Sequence, residues 1–103
     1  MTLSTHVLDT TRGVPVRGVP VRLERDESGW VPVADGRTDD DGRLRVELPG
    51  PGRYRLVFDT AAHLGPDAFF PEITVAFQVT TPDRHLHVPL LLSPFGYTTY
   101  RGS

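Results

Sequence analysis

The sequence predicts an all-β domain: a two-sheet antiparallel β-sandwich of seven to eight strands with one short helix. Three observations predict it. Runs of five to eight residues alternate apolar with polar side chains, and they recur along the whole chain. Clusters of Gly, Pro, Asp and Ser separate these runs at regular intervals, the pattern of a sandwich. Only Thr60–Gly65 (TAAHLG) offers a helix, and it is barely longer than a turn. A chain of 103 residues can bury roughly two thirds of its unfolded surface, so the expected organisation is a single domain over 1–103.

Each element has its own warrant. Leu3–Asp9 (LSTHVLD) reads as a strand with Ser4, His6 and Leu8 on one face and Leu3, Thr5 and Val7 on the other. Thr10–Gly18 carries Gly13, Pro15 and Gly18 and is expected to be a loop. A repeat of GVPVR at Gly13–Arg17 and Gly18–Arg22 is too short for a repeat architecture. Val19–Arg25 is the second strand, with Pro20 tolerable at its start. Asp26–Gly29 turns the chain into a short strand at Trp30–Ala34. Arg43–Leu48 is a half-buried strand pointing Leu44, Val46 and Leu48 inward, and Arg53–Phe58 points Tyr54, Leu56 and Phe58 to one side. Thr60 is placed to cap the short helix and Gly65 to end it. Ile73–Val79 alternates cleanly, Thr81–Arg84 is a turn, His85–Leu92 is the seventh strand, and Ser93–Gly96 turns into a short eighth at Tyr97–Arg101.

Composition narrows the function classes. A net charge of −2 gives no electrostatic case for nucleic acid or a membrane surface. There is no lysine and no cysteine; the latter fits a reducing, cytoplasmic compartment. No signal peptide and no membrane-spanning run is visible. The DDDG turn at Asp39–Gly42 is not a calcium loop. An EF-hand with Gly42 at its sixth position needs an acid where Arg37 stands and a glutamate where Leu48 stands.

A few polar residues are left unexplained by alternation. His85 and His87 share one face of one strand, either as proton-shuttling imidazoles on a site wall or as ordinary half-exposed histidines. Zinc would need a third ligand, for which His6 is available, but no HExxH-type pattern is present. His6 is either structural or functional, and Arg43, directly after the DDDG turn, is either solvated or a fork-shaped binder of carbonyls and oxyanions. His63 looks like surface. The final Tyr100-Arg101-Gly102-Ser103 places an aromatic ring, a guanidinium and a hydroxyl where a frayed terminus is usual. The Ser93–Gly96 turn folds this last stretch back antiparallel, which can bring Ser103 near His87.

Four stretches carry a resemblance: LSTHVLDT (3–10), RTDDDGR (37–43), FFPE (69–72) and HLHVPLLLSPFGYTTYRGS (85–103). Together they resemble the 5-hydroxyisourate hydrolases, the enzymatic branch of the transthyretin-like proteins, with the terminal YRGS as the specific signature. Leu86 stands where an aromatic is common and Thr98 where serine is common. The resemblance implies a dimer of dimers with active sites at the clefts between dimers. It also implies ring-opening hydrolysis of 5-hydroxyisourate, the product of urate oxidation, with water as the only co-substrate and no metal or cofactor. Catalysis would fall on His6, His87, Arg43 and Ser103, and substrate binding on His6, Arg43, Tyr100, Arg101 and Gly102. His6 or His87 would be the base, Arg43 the anchor of the ring or oxyanion, and Ser103 the group that orients a histidine. The competing expectation is a carrier that binds a small aromatic ligand without turnover.

Overall fold

The computed structural model describes residues 1–80 and 85–103. They form ten strands and one helix: β1 (Thr2–Asp9), β2 (Val14–Pro15), β3 (Pro20–Asp26), β4 (Trp30–Arg37), β5 (Arg43–Glu47), β6 (Gly52–Phe58), α1 (Ala61–Leu64), β7 (Ile73–Val79), β8 (Leu86–His87), β9 (Leu90–Ser93) and β10 (Gly96–Thr99). The expected two-sheet sandwich with one short helix is what the chain builds. β1 is the axis of one sheet. Its front half lies between β5 and β8, its back half lies between β2 and β9, and β10 lies beyond β9. The other sheet has the order β4-β3-β6-β7 and is antiparallel throughout.

Period-two alternation decides which side chains meet between the sheets. Leu3, Thr5, Val7 and Asp9 of β1 are buried, while Ser4, His6 and Leu8 face away. Val21, Leu23, Tyr54, Leu56, Phe58 and Ile73 supply the opposite wall. Each such side chain contributes about 1.5–3 kcal/mol by leaving water. Tyr54 keeps its one polar atom satisfied by donating its hydroxyl to the Gly50 carbonyl at 2.6 Å.

The departures from expectation have physical causes. Val14–Pro15, expected as loop, pairs with Leu8 and Asp9 as β2; two exposed residues leave no alternation to read. β4 runs to Arg37 instead of stopping at Ala34, because the register of β3 shifts between Leu23 and Glu24 and leaves Val33 as an extra residue. A bulge breaks the period of two, and Pro32 is tolerated because β4 is an edge. Thr60 caps α1 by position only: its hydroxyl donates to the Phe70 carbonyl instead of to the helix. The turn expected at Thr81–Arg84 lies outside the described residues.

The largest departure is in the predicted His85–Leu92 strand. It splits into β8 and β9 at Val88-Pro89, and both pieces pair with β1 in parallel, unlike the other pairs. Proline has no N–H to give to a ladder. The break is closed by hydroxyls: Thr5 donates to the Val88 carbonyl at 2.6 Å and Thr99 to the Pro89 carbonyl at 2.9 Å. The Val88 amide meanwhile donates to the Ser4 carbonyl at 2.9 Å.

His63 is not idle surface. Its Nε2 lies 2.9 Å from the buried Asp9 carboxylate, which also accepts the Thr11 and Arg12 amides. This ties α1 to the end of β1. The His63 hydrogen bond pulls the Asp9 carboxyl below its ordinary value of 3.8; burial opposes the shift and the two amides add to it. A carboxyl depressed in the folded state stabilises above its unfolded value, and that stability is lost as the pH falls through the folded value. Asp9→Ala is expected to lower the unfolding free energy at neutral pH by roughly 1.5–3 kcal/mol, measured by urea denaturation. The gap between variant and wild type should close as the pH falls below 3.8.

Candidate active site

Arg43 owes its position to the turn before it. The Asp39 carboxylate accepts the backbone amides of Asp41 and Arg43, each at 2.9 Å, which closes the loop over the start of β5. Gly42 has φ +74, and a Cβ there would stand 2.6 Å from the Val7 carbonyl oxygen. Only glycine fits, and its own carbonyl accepts the Val7 amide at 2.8 Å. The turn is thereby docked on β1 one residue past His6, and the β1–β5 register sets His6 directly opposite Arg43. Facing residues in an antiparallel pair have Cβ atoms about 4.5–5.5 Å apart.

His87 is held from two sides. On one side the parallel β1–β8 register puts it beside Ser4, and Ser4 Oγ lies 2.8 Å from its Nδ1. On the other side is the tail. The Pro94-Phe95 turn closes a hairpin in which Ser93 faces Gly96 and Leu90 faces Thr99. The same register carried past the Pro89 break places His87 opposite Gly102, whose amide donates to the His87 carbonyl at 2.7 Å. A Cβ at position 102 would meet His87 Cδ2 at 2.6 Å, so the glycine lets the tail lie against the imidazole.

The outcome is a row of polar groups on the outer face of the first sheet. Among the described residues, the His6 ring, the Arg43 guanidinium and His87 Nε2 make no hydrogen bond. Burial pushes the His87 imidazole below its ordinary 6.5; a hydrogen bond from the ring N–H to the Ser4 main-chain carbonyl opposes this, and the nearby Arg43, His6 and His85 add to the depression. Such a histidine is neutral at pH 7 and keeps a lone pair available for a proton. Next to it, a pocket of about 250 Å³ opens between the tail and β7, with Leu86, His87, Tyr100 and Arg101 in its walls. His6 and Arg43 do not line this pocket; they lie on the open sheet face.

Of the residues predicted from sequence, His6, Arg43, His87 and Gly102 come together, and Tyr100 and Arg101 flank them. Ser103 is exposed and among the described residues makes no hydrogen bond to a histidine. The orienting contact expected of it is made by Ser4, which sequence reasoning passed over although it shares a face with His6. His85, exposed, reaches the same hydroxyl: its Nε2 lies 2.9 Å from Ser4 Oγ. Among the described residues, no three His, Cys, Asp or Glu side chains are gathered as metal ligands, and no helix is long and apolar enough to cross a membrane.

Gly102→Ala is expected to leave the fold intact but displace the His87 ring. The measurement is the histidine region of a ¹H–¹³C spectrum. Wild-type His87 should titrate with a midpoint below 6.5, and the variant's His87 signals should move to new positions.

Comparison with known proteins shows the family. Residues 3–102 match the model of the HIUase/Transthyretin family. The chain is 46% identical over 109 residues to the 5-hydroxyisourate hydrolase of Salmonella typhimurium, covering 98% of this chain and 80% of that one. Its fold matches the Klebsiella pneumoniae 5-hydroxyisourate hydrolase structure with a TM-score of 0.83 and 36% identity, over the full length of each. It matches transthyretin from Sparus aurata with a TM-score of 0.87 and 32% identity, over 97% of this chain and 95% of the other. It also matches an (S)-allantoin synthase structure (TM-score 0.86, 32% identity) over 98% of its own length but only 43% of that chain. With the matched model spanning nearly all of its sequence, the chain belongs to the HIUase/Transthyretin family.

Proposed function

We propose that this protein is a 5-hydroxyisourate hydrolase, opening the six-membered ring at an amide to give 2-oxo-4-hydroxy-4-carboxy-5-ureidoimidazoline in urate degradation. One observation carries the reading: His6, Arg43 and His87 present unengaged polar ends on one sheet face, in a chain with hydrolase relatives at 46% identity. Neutral His87 takes a proton from water through Nε2 as the oxygen attacks the carbonyl carbon. Arg43 receives the developing oxyanion in its fork of donors, and His6 opposite it hydrogen-bonds the ring. As the C–N bond breaks, His87 Nε2 returns the proton to the leaving nitrogen. Tyr100, Arg101 and Gly102 hold the ring's edge, and Ser103, the next residue of the tail, completes the catalytic set. The chemistry needs only water beside the substrate.

The sheet face that carries His6 and Arg43 is open, so a substrate bound there is half exposed. A homotetramer, built as a dimer of dimers, would close it with a second copy and exclude bulk water. Residues 1–103 act as one domain in this reading, and the lack of cysteine supports a cytoplasmic setting.

His6→Ala and His87→Ala should each reduce turnover by about 10²–10⁴-fold with assembly unchanged by sedimentation. The substrate is generated in place by urate oxidase and its ultraviolet absorbance followed. A carrier on the same fold would bind the ring without accelerating its decay. Arg43→Lys should raise KM and lower kcat, because a point charge cannot replace the planar fork. With His87 depressed below 6.5, turnover should be flat through neutral pH and fall as the pH drops through the His87 value; a fall already complete at 6.5 would exclude His87 as the base.

A further inference from the structure

The chemistry just described leaves Ser4 unused, yet its hydroxyl sits between two imidazoles, 2.8 Å from His87 Nδ1 and 2.9 Å from His85 Nε2. His85 is hydrogen-bonded in turn through Nδ1 to the Thr2 hydroxyl. Thr2 and Ser4 alternate on β1 just as His85 and His87 alternate beside it, and the parallel register of Ser4 with His87 stacks the two pairs. The four side chains form an unbroken hydrogen-bonded row from part-buried His87 through Ser4 and exposed His85 to Thr2.

A hydroxyl has one proton. With a ring nitrogen on each side, Ser4 donates to one and must accept an N–H from the other. The row therefore has two self-consistent directions. In one, Ser4 donates to His87 Nδ1, and the neutral ring carries its proton on Nε2, where it cannot act as a base. In the other, His87 Nδ1–H donates to Ser4, Ser4 donates to His85 Nε2, and His85 Nδ1–H donates to Thr2. Only this direction leaves the Nε2 lone pair free, and Nε2 is the ring nitrogen with no partner among the described residues. Among the described residues, the charged and titratable groups around the ring are His6 on β1, Arg43 on β5, His85 on its own segment and Arg101 on the tail, with no carboxylate side chain; the Ser4 main-chain carbonyl, which attracts the ring N–H, favours the same direction as the Ser4 hydroxyl.

We infer that Ser4 is a positioning residue that holds His87 in the Nδ1–H form, and that it completes a proton relay from His87 to solvent-exposed His85. This rests on the hydrolytic reading above. When Nε2 takes a proton from water, the Nδ1 proton passes to Ser4 Oγ while the Ser4 proton passes to His85 Nε2. His87 is then neutral and the positive charge rests on exposed His85. When Nε2 delivers its proton to the leaving nitrogen, the reverse shift restores the starting row. No proton or electron pair is left over.

The test has a spectroscopic arm and a kinetic arm. In ¹⁵N spectra of histidine-labelled protein at neutral pH, wild-type His87 should show the Nδ1–H form, Ser4→Ala should move it toward Nε2–H, and Ser4→Thr should restore it. In turnover of 5-hydroxyisourate, Ser4→Ala should lower kcat on the order of tenfold with little change in KM, and Ser4→Thr should recover most of the loss. His85→Gln keeps a neutral hydrogen-bonding partner but cannot carry charge; it should retain the Nδ1–H form and still lower kcat. An Nε2–H form in wild type, or a Ser4→Ala variant with unchanged kcat, overturns the positioning role. Wild-type kcat in His85→Gln overturns the relay. If wild type shows no turnover at all, the hydrolytic reading fails, and the ¹⁵N arm alone decides whether Ser4 sets the tautomer.

Discussion

The pairing of β1 on both sides along its length is the constraint on which the rest of the molecule depends. Four partners meet it, β5 and β8 in front and β2 and β9 behind. Because its side chains alternate, one register decides two things at once. Leu3, Thr5 and Val7 enter the core, and Ser4 and His6 reach the outer face. A slip by a single residue would bury an imidazole and expose Val7, losing apolar burial on one side and stranding a polar ring on the other. The core therefore enforces the geometry of the site with no separate scaffold for it.

Around that axis, hydroxyls do what a regular ladder cannot. Pro89 interrupts the strand beside β1, and Thr5 and Thr99 supply donors where the proline leaves carbonyls without a strand partner. Ser4 performs the same service for a ring nitrogen. The break also frees Tyr100 and Arg101 from strand pairing while Gly102 rejoins at His87, so the tail is pinned at its end and open along the pocket wall. Electrostatics follows from the same arrangement. A part-buried imidazole faced by a guanidinium and two further imidazoles is easier to keep neutral than charged.

Much of this was legible in the sequence because a half-buried strand writes its two faces as alternation. Leu3–Asp9, Arg43–Leu48, Arg53–Phe58 and Ile73–Val79 were readable for that reason, and so was the shared face of Ser4 and His6. Where local geometry departs from period two, legibility ends. The extra residue Val33 hid the true length of β4, and β2 was too short to show any period. The split at Pro89 was masked by the apolar run VPLLL, although a proline inside a strand run is itself a warning. His6, Arg43 and His87 were named by a resemblance to a family; their juxtaposition needed the β1 registers, which couple residues some forty and eighty positions apart. Ser4 was missed because serine on a strand surface is unremarkable until two imidazoles are found on it. His63 was missed because its partner Asp9 is 54 positions away in sequence.

The hairpin between His87 and Gly102 also behaves as a ruler. Its turn contains two residues, and the pairing beyond it advances one step on each arm. Length between these two positions is thus counted, not merely spanned. One residue added on the return arm would bring a different neighbour opposite His87, and a side chain with a Cβ would meet the imidazole where glycine now lies. The exposed loop at Thr10–Gly13 has no such arithmetic and can absorb length at the surface. Insertions and deletions in descendants of this sequence should accumulate in loops of the latter kind and be purged from the hairpin, even at positions whose side chains touch nothing of consequence.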